Sequence, residues 1–200
     1  MKSLIIIFLI LVNIPFLSAQ SVVIDINKSG VGQPAGYYRK DMNNLLNQFE
    51  GTYISTHGNK VFKIALVKKI KQYNGSYYED LIIGEYQHIV NGNLYLQDTM
   101  SNLNITYNNQ YVKHAIAGSF VIGNNNRRWK CPQCEPNEKR LSAKITDVGK
   151  GRTADFLMRR TVVNGQQVLQ VKIFDVLPDF EDSNAPDFSL PMGEFTMFKQ

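Results

Sequence analysis

The chain has 200 residues, 44% of them hydrophobic and 20% charged, with a formal net charge of +5 at pH 7. That is the composition of an ordinary globular protein of one domain, or two at most, and it excludes collagen-like, coiled-coil and wholly disordered chains. The first 19 residues hold 14 apolar side chains and a single charge, Lys2; without them 181 residues remain at a net charge of +4, ample for one core.

Those first residues read as a secretory signal peptide. Lys2 supplies the positive start, Leu4 to Leu17 is apolar apart from Asn13 and Pro15, and Leu17-Ser18-Ala19 supplies the small residue that precedes cleavage. The run falls short of the ~20 residues that a spanning helix needs, which counts against an uncleaved anchor. No Cys follows it to carry a bacterial lipid. The expectation is a signal peptide over 1–19 and a mature protein from Gln20, periplasmic or secreted. Outside the cytoplasm nucleotides are scarce and cysteines oxidise. Nucleic acid is therefore not an expected partner, and the mild positive charge reads as a solvated exterior.

Residues 20 to 26 predict a short leading strand or arm, and Ser29 to Gly36 a Gly/Pro loop. Met42, Leu45, Leu46 and Phe49 keep a 3.6-residue period, which predicts one short amphipathic helix between Tyr37 and Phe49. After Gly51 the period falls to two. Phe62, Ile64 and Leu66 alternate in a strand ending at Lys68-Lys69, and Tyr73 to Ser76 is a turn. Tyr77 to Val90 is a long strand, and Asn91-Gly92 a hairpin turn into Leu94 and Leu96. Leu141 to Ile145 and Ala154 to Arg159 alternate again. Asn164-Gly165 turns into Leu169, Val171 and Ile173, and Glu194 to Lys199 is a last strand. Nine or ten strands in sequential hairpins predict a single all-β domain over 20–200. Its form would be an antiparallel meander, either a barrel or a β-sandwich.

Few residues carry chemistry. Gly30-Val31-Gly32-Gln33-Pro34-Ala35 fits G-x-G-x-x-A, the pattern that lets backbone amides approach a pyrophosphate. No acidic residue ends the strand after it and no parallel crossover follows, so it reads as a flexible loop. Cys131-Pro132-Gln133-Cys134 has the spacing of thiol oxidoreductases, whose first Cys caps a helix; here Pro136 and Asn137 precede a strand instead. A structural disulfide between Cys131 and Cys134 is the expected state, with reduced thiols, redox catalysis and a shared metal as alternatives. His57, His88 and His114 are scattered and make no H-x-x-x-H pair. Glu79 and Glu85 share a strand face about 20 Å apart, beyond the ~5–9.5 Å of glycosidase pairs, and read as solvated. Asp179, Glu181, Asp182 and Asp187 lack the pattern of a calcium loop. No cofactor is expected and no catalytic constellation stands out. Arg127, Arg128, Trp129, Lys130, Lys139 and Arg140 form a candidate basic surface patch around the only Trp.

Phe49-Glu50-Gly51-Thr52-Tyr53, opening a run of strands, resembles the entry of lipocalin-like barrels, with Tyr53 where that family has Trp. The mature chain also resembles DUF6705, a family of exported Bacteroidota proteins known only as a domain of unknown function. Gly36-Tyr37-Tyr38, Phe49-Glu50-Gly51-Thr52, Tyr77 to Leu81, Gly84-Glu85-Tyr86, Cys131-Pro132-Gln133-Cys134 and Pro136 to Lys139 carry that resemblance. It implies export and a β-rich fold, but no activity. If the barrel holds, Phe62, Ile64 and Leu66 face inward with Tyr53 near the closed end, either as a filled core or around a ligand. The expected function is a non-catalytic binding module for a small apolar or glycan ligand. The alternatives are an envelope or extracellular interaction module using the Cys131–Cys134 loop, and a thiol-disulfide enzyme.

Overall fold

A computed structural model describes residues 21–124, 126–132, 134–177 and 187–200, with the side chains of 93–97 excepted. The expected signal peptide and the acids Asp179, Glu181 and Asp182 lie outside the described residues. Two three-residue strands lead, β1 (Val23–Asp25) and β2 (Tyr38–Lys40), followed by β3 (Gly51–His57), β4 (Lys60–Tyr73), β5 (Tyr78–Val90) and β6 (Asn93–Asp98). After a single helical turn, α1 (Gln110–Lys113), come β7 (Ile116–Gly123), β8 (Lys139–Asp147), β9 (Arg152–Val163), β10 (Gln166–Phe174) and β11 (Gly193–Lys199).

Eight of these strands form a closed antiparallel barrel in the order β3-β4-β5-β7-β8-β9-β10-β11, with β11 returning to β3. The meander is the expected one, and it closes as a barrel rather than splitting into a sandwich. Asn91-Gly92 and Asn164-Gly165 turn the chain with positive φ at both residues of each pair, as a two-residue hairpin requires. Alternation then sorts the side chains. Ile64 and Leu66 of β4, Ile82 and Tyr86 of β5, Leu141, Ala143 and Ile145 of β8, and Phe156 and Met158 of β9 belong to one buried cluster with Leu169, Val171 and Met197. An eight-stranded barrel is just wide enough for side chains to fill it. The waist here is filled.

Three features differ from the expectations or were absent from them. Tyr37 to Phe49 is not an amphipathic helix: Tyr38–Lys40 pairs in parallel with β1 and β5, and only Asn47–Phe49 makes a turn of 3-10 helix. Asn44, with φ at 53°, interrupts any helix there. The Asp41 carboxylate instead accepts the Leu45 and Leu46 amides at 2.8 and 2.9 Å and the Lys68 ammonium at 2.7 Å. That folds Leu46 and Phe49 as a plug into one end of the barrel. Second, β4 does not stop at Lys69; it runs to Tyr73 through an irregularity whose Lys71 amide donates to Asp80 at 2.9 Å. Third, Ile116–Gly123 is a full strand of the barrel wall that the sequence pattern did not reveal.

Candidate functional site

The two ends of the barrel differ. At the plugged end Tyr53 is fully buried, donates its hydroxyl to the Glu50 carbonyl and accepts from Arg160, which also holds the Gln48 carbonyl at 3.0 Å. Tyr53, Phe62, Ile64 and Leu66 all lie in the main buried cluster. Of these four, Phe62 alone also borders an open cavity.

That cavity, about 670 Å³, opens at the far end between the end of β3, the start of β4, the end of β5 and the start of β11. Its floor is aromatic: Phe62 meets Phe195 edge-on at 6.2 Å and Tyr86 at 5.9 Å. Its rim carries His57, Lys60, His88 and Glu194. A second hollow of about 520 Å³ shares Lys60, His88 and Ser189 and adds Lys150 and Asp187. The segment before β11 bends over the opening, where Ser189 donates both its amide (2.7 Å) and its hydroxyl (2.6 Å) to Asp147 and buries Leu190 in the core. Burial, with Lys60 close by, holds the His88 imidazole below its ordinary value, against a smaller opposing pull from Asp147. His57 and His88, far apart in the sequence, thus share one rim. Their register across β4 brings them together, and no spacing rule within one segment could have found it.

The cysteine loop lies over the outer wall of β8 to β10. Cys131 and Cys134 are disulfide-bonded. Arg159 of β9 donates to both sulfurs and pairs with Glu138 at 3.1 Å. Of the candidate basic patch, Trp129 and Arg140 are buried while the other four residues lie at the surface. Arg140 is fully buried, stacked 5.0 Å from the Trp129 ring, and donates to the Trp129 carbonyl, to Asn124 Oδ1 and to Glu138 at 3.0 Å. Trp129 is itself buried, and Arg128 pairs with Asp155. Arg127, Arg128, Lys130 and Lys139 remain exposed. Arg140 and Arg159, turned outward beneath the loop by strand alternation, fasten it to the wall.

Glu79 and Glu85 are also corrected: neither is solvated. Glu79 accepts from Asn74 at 2.7 Å and from the Ser119 hydroxyl, with Arg39 at 3.9 Å. Glu85 meets His114 Nδ1 at 2.7 Å, and Nε2 of that ring meets Gln110 at 2.6 Å. The chain between β6 and β7, including α1, covers this outer face of β5 and takes both carboxylates out of water. Gly30 to Ala35 is a turn between the parallel strands β1 and β2, so the dinucleotide pattern lacks its helix. Among the described residues no group of three His, Cys, Asp or Glu side chains is placed to hold a metal, and no helix is long and apolar enough to cross a membrane.

No curated protein and no solved structure matches the chain. With a closed barrel, a plugged end, an open mouth and a disulfide-bonded wall loop in place, the remaining comparison is the family model that matches residues 1–200: the chain belongs to DUF6705, a family of unknown function.

Proposed function

We propose that this protein is an exported, non-catalytic binding protein that holds a small amphiphilic molecule in the open mouth of its barrel. The observation that carries this reading is the cavity of about 670 Å³ above a filled waist, floored by Phe62 and Phe195. Ligand sites commonly occupy such barrel mouths, at ~300–1,000 Å³, with apolar walls and a few polar groups for orientation. Of the two ligand chemistries expected from the sequence, the apolar one is favoured by a lining that adds Leu190 and Met192 to Phe62 and Phe195. His57, Lys60 and His88 on the rim suit a polar or anionic head group. Export is supported by the pattern of residues 1–19 and by the Cys131–Cys134 disulfide, a bond that persists in oxidising compartments.

The test is the intact mass of the purified full-length product under denaturing and then native conditions, followed by titration with 8-anilinonaphthalene-1-sulfonate. Cleavage after Ala19 and extra mass only in the native spectrum are expected. So is dye binding that Ser55→Phe, which puts a ring into the cavity, weakens. A native mass equal to the denatured one, together with dye binding indifferent to Ser55→Phe, would overturn the reading.

A further inference from the structure

A third hollow lies outside the barrel altogether. It measures about 440 Å³ and sits where β2, the turn before β5, α1 and the outer faces of β7 and β8 converge. We propose that it is a second binding site, for a neutral sugar.

Charge selects against ions. Arg39 and Glu79 are the charged side chains in its lining, and they face each other at 3.9 Å, so their charges offset. The Glu79 carboxylate is occupied by Asn74 and Ser119 and offers no open oxygen pair to a cation. The guanidinium of Arg39 is held by the Ile26 carbonyl at 2.6 Å and reaches the Tyr77 hydroxyl at 3.4 Å. Its Nε is buried without a hydrogen-bond partner among the described residues. What the hollow presents is therefore polar yet neutral. Tyr111 and Ser142 are among its lining residues, and their hydroxyls make no hydrogen bond to another described residue. Desolvation, then the nearby Glu79 charge, raises the Tyr111 phenol above its ordinary value.

Aromatic surface supplies the other half of sugar recognition. Phe120 is 57% exposed and Tyr111 36% exposed, both beside these hydroxyls. The C–H face of a pyranose carries slight positive charge and matches the negative face of an aromatic ring. The site is also preformed: Tyr77 stacks on Tyr37 at 4.7 Å, and the Arg39–Glu79 pair fixes its floor. Binding there orders few side chains.

Saturation-transfer NMR tests this directly, with glucose, galactose, mannose, N-acetylglucosamine and cellobiose as probes and sodium sulfate as a competing ion. Transfer to the ring protons of at least one sugar is expected, unaffected by sulfate. Tyr111→Ala and Phe120→Ala, both of exposed side chains, should each weaken it about tenfold, the scale of one aromatic contact. Ser55→Phe, which crowds the barrel mouth, should leave it unchanged, so that failure at one site is distinct from failure at the other. Absence of transfer to every sugar, displacement by sulfate, or equal transfer in wild type and both alanine variants would overturn the proposal.

Discussion

Gly118→Ala tests how the barrel closes. β5 meets β7 through three residue pairs, Ile82↔Gly118, Ile83↔Ala117 and Gly84↔Ile116, so this seam has little to spare. A methyl group on Gly118 would lie 2.5 Å from Ala143 Cα, 2.6 Å from its Cβ and 2.7 Å from the Ser142 carbonyl oxygen. Carbon atoms settle at about 3.5–4.0 Å, and the obstruction is the backbone of β8, which no rotamer change can move. The two strands must part by about 1 Å, enough to stretch ladder bonds past their useful range. Overpacking costs about 1–3 kcal/mol, and one or two weakened ladder bonds add about 1 kcal/mol each. A loss of about 2–5 kcal/mol is expected, which at ~2 kcal/mol/M lowers the urea midpoint by roughly 1–2.5 M. Gly123→Ala is the control within the same strand: it has nothing within 4 Å and no positive φ, so it should be neutral or stabilise by up to ~1 kcal/mol. Urea unfolding followed by far-UV circular dichroism measures both. Equal midpoints for Gly118→Ala and wild type, or equal losses in the two variants, would refute this account of the seam.

Arg140→Met keeps the bulk beside Trp129 but leaves the Trp129 carbonyl and Asn124 Oδ1 without their donor, so about 3–5 kcal/mol should be lost. Trp129 is the only Trp, so red-shifted emission reports the loop loosening, and unchanged emission would count against the buried arrangement. Replacing Cys131 and Cys134 with Ser opens a loop of sequence separation 3, and chain entropy puts the loss at about 2 kcal/mol by thermal unfolding. For His88 the folded pKa lies below the ordinary 6.5, so the unfolded chain takes up the proton first as pH falls. Stability is then full above that value and declines as pH drops from 6.5 toward the folded value. His88→Gln should flatten that limb in urea midpoints taken between pH 5 and 8, and an unaltered slope would contradict the assignment.

Period-two alternation made most of the barrel legible, since Phe62, Ile64 and Leu66 had to share a face, and the Asn-Gly pairs marked two hairpins. Alternation is silent where a strand carries small residues. Ile116 to Gly123 reads I-A-G-S-F-V-I-G, and Gly118 marks a close approach to Ala143 of β8 where no apolar side chain fits. The spacing of Met42, Leu45, Leu46 and Phe49 failed for a different reason. A plug that dips twice into a core spaces its apolar residues as a helix does, but here a carboxylate, Asp41, organises the turns. At the candidate sites the misleading premise was that an outward-facing charge is a solvated one. Glu79, Glu85 and Arg140 do point away from the barrel lumen, but each lies under a segment distant in sequence.

Burying so many charges is not the most stable way to cover a barrel. Apolar side chains of similar volume often serve as well or better, because desolvation offsets much of the attraction within a buried pair. What a directional pair adds is placement. Arg39–Glu79, His114–Glu85 and the Arg140–Glu138–Arg159 cluster each fix a covering segment at one position on the wall, where sliding apolar contacts would tolerate several. The covers stop short at two places. One is the mouth, where the segment before β11 is tied to Asp147 but leaves the Phe62–Phe195 floor open. The other is the hollow beside Tyr111, where α1 and the turn before β5 meet without filling the space between them. Both hollows are walled by groups whose positions are set by these pairs or by the sheet. Breaking a pair by Arg39→Met should therefore disturb sugar binding at the outer hollow while leaving dye binding at the mouth intact, a separation that general destabilisation would not produce.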